Sequence, residues 1–265
     1  MVSKDKFARS IITNLNDAAT GGKFEDVKYL VNCGEFIDHR QMITMEAPIH
    51  KAVLSSDARK KQALETIIDC KADMDILDSN GWTALHHAAY NGDIDSATIL
   101  LDSGAKVDEY SNAQRTALHF AAAKNFVNII ELLISRSADI EAADINHATP
   151  LHFACKKGSL ESVRLLLNKK ANLYALDHRD WSPLHYAAYN GHPKVVKKLL
   201  TWGADTDPKL RNLLNSQNKI AFNICKNPET KFGFRIIWPA ARDGDLDMVR
   251  VLIREGQDPN EQTEH

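Results

Sequence analysis

The sequence predicts an all-α fold: an α-solenoid of stacked helix-turn-helix repeats joined by β-hairpin-like loops. Two observations predict it. The segments Thr83-Ala84-Leu85-His86, Thr116-Ala117-Leu118-His119, Thr149-Pro150-Leu151-His152 and Ser182-Pro183-Leu184-His185 recur with their leucines 33 residues apart. Ala72, Ala105, Ala138, Ala171 and Ala204 keep the same step of 33. A fixed period in this range marks a repeat array, in which each unit buries its apolar face only against its neighbours.

The units follow in order. Unit 8–41 keeps Ala18-Ala19, Val27, Leu30 and Gly34 but lacks the Leu-His pair, as expected of a first unit that presents a soluble end. Its Thr20-Gly21-Gly22-Lys23-Phe24 lacks a phosphate loop's spacing and reads as the turn between two helices. Unit 42–77 carries Ala47-Pro48-Ile49-His50-Lys51-Ala52 and three extra residues, expected at the turn from Ser55 to Lys61. Units 78–110, 111–143, 144–176 and 177–209 are regular. In the first of these a short helix follows Leu85-His86 and Asn91-Gly92 turns the chain. A second helix then carries Ile94, Ala97, Leu100 and Leu101 at helical spacing. Gly104 suits a left-handed helix terminus. Ser137 and Lys170 stand at that position in the next two units and Gly203 in the unit after, where a helix end is expected again, and Gln114, His147 and Asp180 stand where Gly81 does. A left-handed backbone costs a non-glycine residue roughly 1 kcal/mol.

Beyond residue 209 the period breaks. Ala187-Ala188 reappears as Ala240-Ala241 after 53 residues, so an insertion is placed at 210–229, with a seventh unit at 230–262. The insertion holds Leu213, Leu214, Ile220, Phe222, Ile224 and Cys225 and is expected to fold back on the array, a docking segment being the alternative. Residues 263–265 read as the start of a truncated next repeat. The apolar stripe Leu246, Val249, Leu252 and Ile253 has no polar cap after it, so the sequence reads as the N-terminal part of a longer protein.

These motifs resemble the ankyrin repeat, whose pattern is T-P-L-H-x-A-A followed by L-L-x-x-G-A-D, over most of the chain. The resemblance implies structural roles for His50, His86, His119, His152 and His185, each ring bonding backbone. It also implies a partner docked on a concave side made of hairpin tips and first helices. Mapped onto this chain, the candidate partner-binding residues are Trp82, Tyr90, Tyr110, Arg115, Lys124, Lys156, Arg179, Trp181 and Tyr189. Trp, Tyr and Arg are the residue types over-represented at binding hot spots. Trp82 and Trp181 hold equivalent positions, with Arg115, Lys124, Lys156 and Lys157 between them in sequence. A protein or peptide partner with acidic and apolar residues would suit that set.

Composition bounds the rest. The 265 residues carry a net charge of −2, which argues against a dedicated nucleic-acid binder. No apolar run reaches the length of a membrane helix, and no apolar stretch follows the first basic residues as in a secretory signal. Cys33, Cys70, Cys155 and Cys225 form no C-x-x-C pair, as expected of reduced thiols in a cytoplasmic or nuclear protein. Cys155 stands where other units have Ala and reads as core; Cys33 and Cys70, at the ends of second helices, are expected to be partly packed. His86-His87 is a poor chelate because helical neighbours point about 100° apart. No catalytic, metal or cofactor motif is present, so no cofactor and no metal are expected. The sequence reads as a monomeric, non-catalytic scaffold or adaptor. The alternative is an N-terminal regulatory or targeting arm of a larger enzyme or channel whose catalytic part lies after residue 265.

Overall fold

In a computed structural model the described residues are 14–206, 216, 217, 219 and 221–226. Most of the expected insertion, the whole of 230–262 and the truncated repeat at 263–265 lie outside them. The described residues form short helices and turns, with no strand among them. The chain divides into two compact units, Met1–Ala121 with Asn128–Asp139, and Ala122–Val127 with Ile140–His265.

The first unit holds α1 (Leu15–Thr20), α2 (Phe24–Asn32), α3 (Pro48–Leu54), α4 (Lys60–Asp69), α5 (Ala84–Asn91) and α6 (Ile94–Asp102). Helices α7 (Ala117–Lys124) and α8 (Val127–Ser135) contribute residues to both units. The second unit holds α9 (Pro150–Lys157), α10 (Leu160–Asn168), α11 (Pro183–Tyr189), α12 (Pro193–Thr206) and α13 (Ala221–Ile224). Within the first unit α1, α3 and α5 stack in one row and α2, α4 and α6 in another. In the second unit α9, α11 and α13 form one row and α10 packs on α12. The small residues explain the close pairing: Ala52, Ala88, Ala89, Ala154, Ala187 and Ala188 are fully buried and let the two helices of a repeat approach.

Within each compact unit a recurrent histidine ties neighbouring repeats together. Thr83 N–H donates to His86 Nδ1 at 3.0 Å, so Nδ1 is the unprotonated nitrogen and Nε2–H donates to Arg115 O at 2.8 Å. His50 bonds Ala47 N and Trp82 O in the same way, and His152 bonds Thr149 N and Trp181 O. Burial, opposed in part by these backbone bonds, lowers the pKa of His50, His86 and His152 to about 4. The scaffold therefore needs neutral rings.

Each repeat turns through left-handed backbone. Gly81, Gly92 and Gly104 supply it at φ of 70°, 78° and 96°. In the next repeat the same three places are Gln114, Asn125 and Ser137, at 55°, 64° and 66°. The anticipated strain at Gln114, His147, Asp180, Ser137 and Lys170 is therefore present. The longer turn of the second repeat lies between Leu54 and Lys60, as expected. Two readings are corrected. Gly203 does not end a helix, because α12 runs on to Thr206. Cys33 is exposed: α2 buries only Val27, so its last turn has little to cover it.

Candidate functional site

The hairpin tips are built on a side chain that the motif does not include. Asp78 is buried, and its Oδ1 accepts from Asn80 N and Trp82 N, both at 2.8 Å. Asp144 does the same for Asn146 and Ala148, and Asp177 for Arg179 and Trp181. Ser111 takes the place of the acid in the repeat between, its hydroxyl accepting from Arg115 N at 3.1 Å. This recurrence fixes where each Trp and Arg at a tip points.

Two ring clusters result. In the first unit Trp82 packs against Phe120, His87 and Tyr90, with centroids 4.4, 5.1 and 5.3 Å apart. His87 Nε2 meets Asp78 Oδ2 at 3.0 Å. In the second unit Trp181 packs against Tyr189 and Tyr186, at 5.3 and 5.4 Å. Tyr186 OH donates to Asp177 Oδ2 at 2.7 Å, and Arg179 Nη2 donates to Tyr186 Oη at 2.9 Å. Burial and the neighbouring Asp177 carboxylate push the Tyr186 hydroxyl up to about 12. Burial alone would raise the Asp177 pKa, but the bonds from Trp181 N–H, Tyr186 OH and Arg179 N–H outweigh it and hold the carboxyl below its usual range.

Cations gather at the second cluster. The Arg179 guanidinium lies 5.0 Å from the Trp181 ring centre and Lys156 Nζ 5.9 Å from that of Tyr186. Lys226 Nζ lies 3.8 Å from the Tyr189 ring centre, and its hydrogen bond and charge draw the Tyr189 pKa below the ordinary phenol value. Beside these rings is an open pocket of about 530 Å³, walled on the other side by Gln217, Lys219, Asn223 and Ile224.

That far wall belongs to the expected insertion. Ser216 N donates to Arg179 O at 3.0 Å, as His178 N does to Asn146 O one repeat earlier. His185 Nε2 bonds Lys219 O across 34 residues, where His152 bonds Trp181 O across 29. Ala221 and Cys225 are buried, and α13 packs on α11. Ser216, Gln217, Lys219 and residues 221–226 thus stand in the place of a next hairpin tip and first helix, five residues late. Helix α12 accounts for the delay: it ends at Thr206, five residues past the point equivalent to the end of α10 at Asn168.

The candidate residues distribute as follows. Lys156, Arg179, Trp181 and Tyr189 come together around the pocket. Trp82 and Tyr90 meet in the other cluster. Tyr110 and Lys124 are exposed and stand outside both, and Arg115 is half-buried with its carbonyl held by His86. Tyr90 and Tyr189 are 40% and 38% exposed, whereas both Trp rings are half-buried beneath them. Sequence reasoning missed Asp177, Tyr186, Lys219, Asn223, Ile224 and Lys226. The signal for the last four was Ile220-Ala221-Phe222, which matches Thr83-Ala84-Leu85 in type at two of three places. Among the described residues no group of three His, Cys, Asp or Glu side chains is arranged to hold a metal ion, and no helix is long and apolar enough to cross a membrane. His86 and His87 bond separate partners. Cys155 is fully buried, and burial raises its thiol pKa far above the ordinary range, which leaves little thiolate for nucleophilic chemistry.

The family model for ankyrin repeats (3 copies) matches residues 49–144 and 141–212, more than half of the chain. The chain belongs to the ankyrin repeat family. Among solved structures it is similar to the ankyrin repeat domain of Bcl-3, described as a unique member of the IkappaB protein family. The TM-score is 0.71 at 28% identity, covering 85% of this chain and 99% of that one. The human ASB11 ankyrin repeat domain superposes with a TM-score of 0.69 at 23% identity, covering 83% and 96%, a likeness of fold. Rabankyrin-5 from Mus musculus and from Homo sapiens is 37% identical over 62 residues, 22% of this chain. The chain matches only 5% of the length of these two curated relatives. Ankyrin repeats are generally protein-interaction modules, and His-to-carbonyl ties and stacked helix rows hold neighbouring repeats together within each compact unit.

Proposed function

We propose that the chain is a non-catalytic scaffold or adaptor that holds a partner protein on the surface made by its hairpin tips and the exposed sides of its first helices. The observation that carries this reading is the pair of ring clusters. Each presents a tyrosine to solvent on a tryptophan that is fixed from below by a buried aspartate. Such a surface is ordered before it binds, so little side-chain entropy is lost on association. The chain works as a monomer, in the cytoplasm or nucleus; the free thiols of Cys33, Cys70 and Cys155 fit a reducing compartment.

The test is a photo-cross-linking residue placed in the full chain at Tyr90, at Tyr189, or at the exposed Glu131 on α8. A partner that cross-links from positions 90 and 189 and not from 131 supports the reading. Cross-links from 131 alone would move the docking surface to the second helices and overturn it.

A further inference from the structure

The pocket beside Trp181 differs from an ordinary gap between hairpins in the charge of its walls. Lys156, Arg179 and Lys219 line it, and Lys226 stands over Tyr189 at its rim. Among the described residues no Asp or Glu lines it. The nearby acid, Asp177, has a side chain fully shielded from solvent, and its oxygens are taken up by two backbone N–H groups, the Tyr186 hydroxyl and, at 3.5 Å, Arg179 Nη2, with which it forms an ion pair. Lys156 forms no ion pair among the described residues. The whole chain carries a charge of −2, so this positive pocket is a local arrangement and not a general basicity. Its floor is apolar, formed by the Trp181 ring and Ile224, and Asn190 and Asn223 add neutral hydrogen-bonding groups. A volume of about 530 Å³ falls within the range of ligand sites that bury most of what they bind.

We infer that this pocket is the subsite for an acidic segment of the partner protein, with a carboxylate side chain seated between Lys156 and Arg179 and an adjacent apolar or aromatic side chain against Trp181 and Ile224. The inference rests on the proposed docking surface and names the chemistry of its occupant. Charge complementarity selects a carboxylate-bearing peptide: Lys156 and the Arg179 N–H groups not turned to Tyr186 and Asp177 offer charged donors to a carboxylate, and the Trp181 ring and Ile224 give the neighbouring side chain a place to lose its water. Residues 216–226 are part of the recognition surface, because they supply Lys219 and Ile224.

The experiment uses the full chain and a labelled, end-blocked octapeptide with six glutamates flanking one phenylalanine and one leucine, followed by fluorescence anisotropy. A second peptide replaces every glutamate with glutamine. Expected are binding of the glutamate peptide that weakens with added salt, little binding of the glutamine peptide, and a loss of about tenfold or more in the Lys156→Gln/Arg179→Gln variant. Arg179→Lys should retain most of the binding. Both side chains are at the surface, and circular dichroism checks that the variants fold. Equal binding of the two peptides, or an unchanged affinity in the double variant, overturns the subsite. So does displacement of the glutamate peptide by inorganic phosphate beyond the effect of chloride at equal ionic strength, because the pocket would then select phosphate. If the subsite fails while cross-links persist at positions 90 and 189, the broader docking surface stands. If those cross-links are absent too, both fail.

Discussion

The Trp82 and Trp181 clusters hold the same places in the repeat, 99 residues apart, and share a backbone, a buried aspartate and a tryptophan-tyrosine pair. They differ at four positions around that frame. His87 meets the aspartate in one and Tyr186 in the other. Asn80 becomes Arg179, and Leu54, four residues past its scaffold histidine, becomes Lys156 four past His152. Phe120 closes against Trp82 with centroids 4.4 Å apart, while the equivalent neighbour of Trp181 is the smaller Ile224 and a pocket remains. The lesson is a division of labour. Residues that bond backbone are repeated, and residues that face outward decide whether a tip is a closed ring stack or a charged pocket.

The largest expected effect acts on what the two regions share. His50, His86 and His152 have pKa values of about 4 when folded and about 6.5 when unfolded, so protonation favours the unfolded chain. Their contribution is fully present above pH 6.5 and is lost as pH falls towards 4, by roughly 3 kcal/mol for each ring. Urea unfolding at pH 7, 6, 5 and 4.5 should show the midpoint falling steeply across this window, before the carboxylates titrate. A His86→Gln variant should start less stable and show a shallower fall. A midpoint flat from pH 7 to 5 would contradict the neutral-ring tie.

Next come the tips themselves. Asp177→Ala removes the acceptor of two backbone N–H groups and of the Tyr186 hydroxyl, and should cost about 3 kcal/mol in thermal or urea unfolding. The exchange Tyr186→His should cost much less, about 1 kcal/mol, because His87 already shows that an imidazole at this position reaches the equivalent aspartate, Asp78. A large loss in the exchange with little in Asp177→Ala would mean that ring packing, and not the buried acid, holds the tip.

The contrast at the far wall is sharpened by Ile224→Phe, which gives the second cluster the ring that Phe120 supplies to the first. The larger side chain should fill part of the pocket and weaken the glutamate peptide about tenfold, with a change in stability within about 1 kcal/mol. Unaltered peptide affinity would show that the peptide does not use the Ile224 wall.

How much of this was legible follows the same division. The leucine and histidine period exposed the fold, because those residues must recur for backbone ties to recur. The tips were legible as positions but not as chemistry: Asp78, Asp144 and Asp177 read as loop polarity until their carboxylates are seen holding two N–H groups each. Gly203-Ala204-Asp205 reads as a helix stop, and α12 nevertheless continues through it. This continuation delays Ile220-Ala221-Phe222 by five residues and so hides the pocket's far wall from a search at fixed period.

A comparison of neighbouring repeats tests whether turn geometry is imposed by the stack or chosen locally. Repeat 78–110 places glycine at all three left-handed positions, and repeat 111–143 places none. Gln114→Gly and Ser137→Gly should each stabilise by up to about 1 kcal/mol, because strain at φ of 55° and 66° is relieved, less the entropy that glycine adds to the unfolded chain. The reverse change is not symmetric. At Gly104 a new Cβ meets only Met74 Cε at 3.9 Å, so Gly104→Ala should cost about 1 kcal/mol from backbone strain alone. At Gly81 the Cβ would lie 2.5 Å from Asn112 N and from its Oδ1, so Gly81→Ala should cost more, about 2 to 3 kcal/mol. Equal losses at the two sites would mean that the tip yields to make room. The repeat without glycine would then owe its shape to local backbone preference rather than to the hairpins stacked beside it.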